Sequence, residues 1–392
     1  MMKRMFLIVL DGVGIGAQWD ARRFGDEGSN TLGNTARSVG GLNLPTLRRL
    51  GLGNIGSIEG VPPNPTPSAA FGKAREVSAA KDTLTGHHEM FGAPRFRPPN
   101  TYPSGFPEEI RTAVAEIARI EFLGNRAASG TVIIEEEGLK HLESGKPILY
   151  TSGDSVIQIA AHTSVLEVSR LHELCRRIAE KNTQKAWTDR VIARPFAGHP
   201  GAFYRLNDQR KDFTAPAPTP TALDALVDAG KDVIGVGKVP GIMGHRGFSS
   251  EREGGDHANT FEALRSLLRE PFEGLAVFNF NDFDTVYGHR NDVRGFAQCL
   301  SDWDRAMGDL LPEFGDDDGV ILTADHGNDP TTPSTDHSRE AVPVLVFAAR
   351  VAPVSIGFRE TFADVGATIC TLLGAKRPRF GVSFSRILGL NG

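Results

Sequence analysis

Three apolar runs in this 392-residue sequence end in side chains that hold cations. Residues 5–10 are followed by Asp11, residues 275–281 by Asp284 and His289, and residues 320–323 by Asp325 and His326; His337 lies in the loop beyond. Each side chain has a plainer reading as a helix cap or turn residue, because Asp, His and Gly all favour turns. Six of them at neighbouring strand ends are harder to explain that way. Carboxylates and imidazoles together suit Mn²⁺, Zn²⁺ or Fe²⁺ better than Ca²⁺, which prefers oxygen alone. Six ligands exceed what one site with open positions needs. They suit two metals about 3.5–4 Å apart, an arrangement that clamps a phosphoryl group between attacking and leaving oxygens.

A nucleophile candidate lies in Lys81-Asp82-Thr83-Leu84-Thr85-Gly86-His87-His88-Glu89. Thr83 or Thr85 could simply cap the helix that follows. The same placement sets a hydroxyl in the positive field of a helix N-terminus, which favours an alkoxide and any phosphoryl group it carries. A threonine hydroxyl is a weak nucleophile until nearby cations lower its pKa.

These groups need a scaffold that brings strand ends together. Residues 5–10, 232–237, 275–281, 320–323 and 344–347 read as strands. They alternate with helices over 44–52, 257–269, 293–310 and 363–373, which predicts an α/β sandwich around a mostly parallel sheet. Ligands of such sheets bind beyond the carboxyl ends of the strands. The loop Asp11-Gly12-Val13-Gly14-Ile15-Gly16 is not a dinucleotide fingerprint, because its glycine spacing is wrong and Asp11 would repel a pyrophosphate. Proline-rich stretches at 94–107 and 216–220 act as semi-rigid linkers. Between them, helices over 108–119 and 165–180 and strands over 147–151 and 190–195 form an insertion at 99–214. Residues 1–98 and 215–392 then make the core.

A net charge of -5 and a pI near 6.1 argue against nucleic acid as a partner. No apolar run approaches the roughly 20 residues of a spanning helix, so no membrane role is expected. Residues 5–10 follow Lys3 and Arg4 like a signal peptide, but the run is too short and Asp11 ends it. Three scattered cysteines, Cys175, Cys299 and Cys370, make no disulfide framework and fit a reducing cytoplasm. Nothing marks an obligate protein partner.

The chain resembles the phosphopentomutases of the alkaline phosphatase superfamily. The resemblance runs from Phe6-Leu7-Ile8-Val9-Leu10-Asp11 to Phe380-Gly381-Val382-Ser383-Phe384. It passes through Phe24-Gly25-Asp26-Glu27-Gly28, Leu50-Gly51-Leu52-Gly53-Asn54, Lys81-Asp82-Thr83, Tyr150-Thr151-Ser152, Gln158-Ile159-Ala160-Ala161-His162, Tyr287-Gly288-His289-Arg290 and residues 323–329. It implies an alkaline-phosphatase-like three-layer α/β sandwich with an inserted α+β cap domain. It also implies interconversion of ribose or deoxyribose 1-phosphate with the 5-phosphate, two Mn²⁺ per chain and a sugar 1,6-bisphosphate activator. By the match, Asp11, Asp325 and His326 hold one metal, and Asp284, His289 and His337 the other. Thr83 carries the phosphoryl group. Ser152, Asp154, Arg190 and Ile192 in the cap, with Lys238 in the core, contact the pentose phosphate. For Arg190 the plainer reading is a surface ion pair, since exposed arginine is common. His162 reads as a hydrogen-bonded residue of the insertion.

The sequence departs from the family pattern at His88, where tryptophan is usual, at Gly153 for alanine, at Gly12 for serine, and over residues 17–21. No expected ligand is lost, so the departures bear on substrate preference rather than reaction class. Two alternatives carry different expectations. Another metal-dependent phosphatase or phosphomutase of the superfamily would release phosphate or act on other substrates. An inactive metal-binding protein would lack the nucleophile or a ligand.

Overall fold

The computed structural model describes residues 2–390. The chain forms two compact units, one of Met1–Arg97 with Ala217–Gly392, the other of Pro98–Pro216. Its strands in chain order are β1 (Arg4–Leu10), β2 (Ala70–Ala74), β3 (Leu123–Ala127), β4 (Ile148–Thr151), β5 (Val156–His162), β6 (Arg190–Ala197), β7 (Tyr204–Arg205), β8 (Lys211–Thr214), β9 (Asp232–Val236), β10 (Ser250–Arg252), β11 (Gly274–Phe280), β12 (Asp318–Thr323), β13 (Val342–Phe347) and β14 (Ser355–Arg359). Among the described residues no helix is long and apolar enough to cross a membrane.

The first unit is built on an eight-stranded sheet in the order β10-β9-β11-β1-β12-β13-β2-β14. The five strands from β10 to β12 run parallel. β13 is antiparallel to both its neighbours, and β14 pairs in parallel with β2, so the sheet is mixed but mostly parallel. β1 lies between β11 and β12, which explains its unbroken apolar run. Met5 through Leu10 are all buried, as expected of a parallel strand covered on both faces. The helix Val293–Leu310 buries Phe296, Leu300, Trp303, Met307 and Leu310 on one stripe, the spacing an amphipathic helix requires.

Some elements differ from the sequence reading. The helix expected over 44–52 stops at Leu50, where Gly51 turns left-handed at φ 105°, and a separate 3₁₀ turn follows at Leu52–Asn54. β2 was not anticipated. Its sequence, Ala-Phe-Gly-Lys-Ala, has no β-branched residue, yet Gly72 lets β14 approach so closely that a Cβ there would meet the Gly357 carbonyl oxygen at 2.4 Å. The short polar strands β10 and β14 lie at the sheet edges, where alternation is weak.

The second unit carries its own sheet, β3-β4-β5-β6-β7, with β8 also on β6. Helices Glu108–Ala118 and Val168–Lys185 bring Ile110, Val114, Leu171, Cys175 and Ile178 against Ile157, Ile159, Val191 and Ala193. Helix Gly130–Ser144, which the sequence reading did not identify, packs Ile133 and Ile134 against Ile148, Tyr150, Ala160 and Phe196. The two strand faces thus serve two small cores, as period-two alternation allows.

Candidate active site

Parallel strands that share a register end together. β1 and β12 are in register to Val9 and Thr323, so Asp11 and Asp325 stand side by side just beyond the sheet. On the other side, Leu10 pairs with Phe280 at the end of β11. A short π-helical segment, Phe283–Tyr287, follows β11 and carries Asp284 inward. The sequence reading had no helical turn there. His289 follows in a 3₁₀ turn, Gly288–Arg290.

The ligand atoms of Asp11, Asp325 and His326 lie within 4.8 Å of one another, and so do those of Asp284, His326 and His337. His326 therefore stands in both groups. His289 reaches Asp284 directly, Nε2 to Oδ2 at 3.2 Å, and His337 Nε2 is 3.6 Å from Asp284 Oδ1. Two of the histidines are held by their Nδ1 atoms. His326 Nδ1 donates to the Gly327 carbonyl at 3.1 Å, and His289 Nδ1 donates to the Thr335 carbonyl at 2.6 Å. Each bond fixes the ring orientation and turns Nε2 towards the carboxylates.

The buried charge in this cluster favours a cation. Both oxygens of Asp11 and Oδ2 of Asp325 are buried and accept no hydrogen bond of good geometry. Their close nitrogen neighbours are His326, 3.3 Å from each carboxylate, His87, and Lys238, whose ammonium lies against Asp11 Oδ2. Burial works to lower the pKa of His326, but Asp325, Asp11 and Asp284 overcome it and raise it to about 10. Without a metal, a proton on His326 occupies the field that a divalent ion would fill. Burial works to raise the Asp284 pKa, yet His289, His326 and His337 hold it below the usual carboxylate range. Burial and the charge of His326 push His337 down to about 4, so its ring is neutral. Oxygen and neutral nitrogen donors in this mixture fit Mn²⁺, Zn²⁺ or Fe²⁺.

Thr83 opens the helix Thr83–Met90, and its Oγ1 lies 2.9 Å from His326 Nε2. Neither threonine is the helix cap. Asp82 caps it, accepting from the Thr85 N–H at 3.1 Å and from the Thr85 hydroxyl at 2.8 Å. Thr85 is thereby engaged and buried, whereas the Thr83 hydroxyl faces the ligand cluster.

Sequence reasoning missed the residues that hold these groups in place. Asn328 donates from Nδ2 to Asp284 Oδ1 at 2.7 Å. Arg339 is 2 % exposed; it donates to Glu76 Oε2 and the Ala80 carbonyl, both at 2.7 Å, and to Asp20 Oδ2 at 3.1 Å. Its backbone N–H and the Lys81 ammonium both donate to Asp26. Glu89 accepts from the N–H groups of Val77, Ser78 and Phe362 and from the Ser78 and Thr361 hydroxyls. A glutamate in a helical run carries no sequence mark of such a role. The motif around Asp26 was visible, its partner Arg339 was not.

The ammonium of Lys238, a substrate contact by the family resemblance, is paired with Asp11. In the second unit, Arg190 and Ile192 alternate on one face of β6. The Arg190 guanidinium is only loosely paired, 3.8 Å from Asp154 and 3.7 Å from Asp212. Ser152 Oγ accepts from the Asp154 N–H at 3.4 Å. His162 is hydrogen-bonded to Ser164 and to the Gly198 carbonyl. Among the departures, Gly12 has φ 77° and donates its N–H to Asp325 Oδ1 at 3.2 Å, a conformation glycine adopts without strain. His88 is buried and its Nε2 has no hydrogen-bond partner. Burial, with Arg95 nearby, lowers its pKa to about 4.

The family model described as the Metalloenzyme superfamily matches residues 233–377, a span that includes Asp284, His289, Asp325, His326 and His337. The chain is 48 % identical to a phosphopentomutase of Anaeromyxobacter dehalogenans over 97 % of each chain. It is 46 % identical to one of Dictyoglomus turgidum, covering 98 % of this chain and 97 % of that one. With one of Alkaliphilus metalliredigens it shares 43 % identity, over 99 % and 100 %. Among solved structures, the PH0037 protein of Pyrococcus horikoshii aligns over 97 % of this chain and 100 % of its own, with TM-score 0.51 and 14 % identity; that likeness is one of fold.

Proposed function

The chain belongs to the phosphopentomutase family, and from that premise we propose that Thr83 carries the phosphoryl group between the two hydroxyls of a pentose phosphate. The activity exchanges a phosphoryl group between O1 and O5 of the sugar. Phosphothreonine 83 gives its phosphoryl group to the free hydroxyl of the incoming monophosphate. The P–Oγ bond breaks, a P–O bond to the sugar forms, and the hydroxyl proton replaces phosphorus on Thr83. The sugar bisphosphate then returns its other phosphoryl group to Thr83, and the isomer leaves. A sugar 1,6-bisphosphate phosphorylates a resting Thr83 in the same way.

Asp11, Asp325 and His326 are the proposed ligands of one divalent ion, and Asp284, His289 and His337 those of the second, with Mn²⁺ the proposed metal. Such ions neutralise phosphoryl oxygens and lower the pKa of a nearby hydroxyl. The chain's own contribution is positioning. The helix N-terminus places Thr83 Oγ1 in a positive field, and His326 Nε2 stands within hydrogen-bond reach of it. Ser152, Asp154, Arg190 and Ile192 are the proposed contacts of the pentose phosphate in the second unit. Arg190 suits a phosphate because a guanidinium presents a planar fork, and its loose pairing leaves that fork available. Lys238, beside Asp11, is the proposed phosphate contact of the first unit. Three free cysteines are in keeping with a cytoplasmic enzyme, and pentose phosphates are its proposed partners, with no nucleic acid, membrane or obligate protein among them.

The observation that carries this reading is the Thr83 hydroxyl, 2.9 Å from His326 and beside two groups of three ligands, while Asp82 occupies Thr85. Incubation with a sugar 1,6-bisphosphate and peptide mapping by mass spectrometry should place phosphate on Thr83. Thr83→Ala should lose activity by several orders of magnitude, as expected when a covalent nucleophile is removed. Phosphate on Thr85, or an active Thr83→Ala, overturns the assignment. Release of free phosphate from ribose 5-phosphate in place of ribose 1-phosphate would mark a phosphatase.

A further inference from the structure

We propose that His87 is a positioning residue which, through one imidazole, sets the main chain of Thr83 and the carboxylate of Asp325 in a single geometry; this rests on reading Thr83 as the nucleophile and Asp325 as a metal ligand. His87 is wholly buried. Its Nδ1 lies 2.9 Å from the Thr83 carbonyl oxygen and 3.3 Å from Asp325 Oδ2. Both are acceptors, so Nδ1 carries the proton and donates. Its Nε2 lies 3.3 Å from Asn279 Nδ2, and an amide nitrogen only donates, so Nε2 accepts. One imidazole thus bonds the Thr83 carbonyl and the Asn279 amide and stands against the Asp325 carboxylate.

What the ring joins makes this more than a satisfied core histidine. Asn279 sits in β11 opposite Val9 of β1, in the interior of the sheet. Thr83 begins the helix that presents the hydroxyl. Asp325 has one oxygen fixed by the Gly12 N–H at 3.2 Å; its other oxygen accepts no hydrogen bond of good geometry and faces His87 and His326 at 3.3 Å each. The helix also touches the main chain of this ligand, since a Cβ at Gly86 would lie 2.1 Å from the Asp325 carbonyl oxygen. His87 is thus hydrogen-bonded to the nucleophile's main chain and to the sheet, and packs its Nδ1 against the ligand carboxylate. Outer partners that orient a ligating carboxylate typically change metal affinity about 10–100-fold when removed.

The test uses the full-length enzyme with His87→Asn, which keeps a donor near Nδ1, His87→Gln, which places its amide nearer Nε2, and His87→Leu, which has neither. Mn²⁺ binding is followed by electron paramagnetic resonance titration, turnover by conversion of ribose 5-phosphate, and folding by circular dichroism. In the Gln and Leu variants the affinity for one of the two ions should fall about 10–100-fold. Their kcat should fall on the order of 100-fold, as for a nucleophile displaced by about an ångström, with KM nearly unchanged. His87→Asn should recover both to within a few-fold of wild type. Wild-type Mn²⁺ affinity and kcat in His87→Gln or His87→Leu overturn the proposal, as does His87→Asn failing as badly as His87→Leu. Should His87→Leu not fold, Asn279→Ala, which removes only the support at Nε2, must still weaken one ion, and wild-type behaviour there overturns it equally. A wild-type enzyme that binds one ion, or an active Thr83→Ala, defeats the underlying reading instead and is seen before any His87 variant is made.

Discussion

Gly86→Ala sets two physical effects against each other with opposite signs. Residue 86 lies inside the helix Thr83–Met90, where alanine is intrinsically better than glycine by about 0.8–1.0 kcal/mol. Propensity alone therefore predicts a stabilised protein. The added Cβ, however, would lie 2.1 Å from the Asp325 carbonyl oxygen, and ordinary van der Waals contact begins near 3.4 Å. The helix or the Asp325 main chain must then retreat by about 1.3 Å, the difference between those two distances. Overpacking of this kind costs about 1–3 kcal/mol, which exceeds the propensity gain at most of its range. The displacement falls between Thr83 and Asp325, and a misplacement of about 1 Å costs about 100-fold in rate. We expect Gly86→Ala to lower kcat for ribose 5-phosphate about 100-fold and to lower unfolding stability by up to about 2 kcal/mol in a urea titration. A variant as active as wild type and more stable would show that propensity governs this position and that the contact is readily relieved.

Two further perturbations test the scaffold and the electrostatics. Arg339→Met should destabilise the protein by about 3–5 kcal/mol, the range for breaking a buried ion pair, because Glu76 and Asp20 lose their buried guanidinium; a loss under about 1 kcal/mol in denaturant unfolding would refute the role given to Arg339. With His326 raised from 6.5 to about 10, its stabilising effect on the metal-free fold is complete below pH 6.5 and is lost as pH rises through about 10. At pH 8 the metal-free ring is protonated, and Mn²⁺ must displace that proton to use Nε2. Titration of chelator-treated enzyme with Mn²⁺ in weak indicator buffer at pH 8 should release about one proton from this ring, and metal uptake with no pH change would contradict the assignment.

The clustering of the proposed ligands was legible in the sequence because a buried parallel strand writes an unbroken apolar run, and the residues just past such runs are forced into one place. Asp11 and Asp325 are 314 positions apart, yet the register of β1 with β12 makes them neighbours. The choice between Thr83 and Thr85 was not legible. It depends on Asp82, whose carboxylate engages Thr85, and no spacing rule states which of two nearby hydroxyls a cap will take. Arg339, Asn328 and His87 were opaque for a related reason. Arginine, asparagine and histidine are ordinary surface and turn residues, and only burial against partners far away in the chain gives them their roles. β2 was missed because glycine and alanine carry no strand signal, although close approach to β14 is what they permit.

The position of β1 also bears on how the chain is made. Both of its partners come late: β11 begins at Gly274 and β12 at Asp318. At a synthesis rate of about 5–20 residues per second, the run from Met5 to Leu10 waits roughly 15–60 s on the ribosome before β12 exists to pair with it. For most of that interval, until β11 is made, an apolar strand with two open edges is exposed, the kind of segment most prone to aggregate. Pairings so distant in sequence are intrinsically slow to close. The Pro98–Pro216 unit, complete in sequence before β11 is made, can fold during that wait. The heaviest demand for chaperone protection should therefore fall on the first ten residues, and codon changes that slow translation between 217 and 318 should lower soluble yield without altering the purified enzyme.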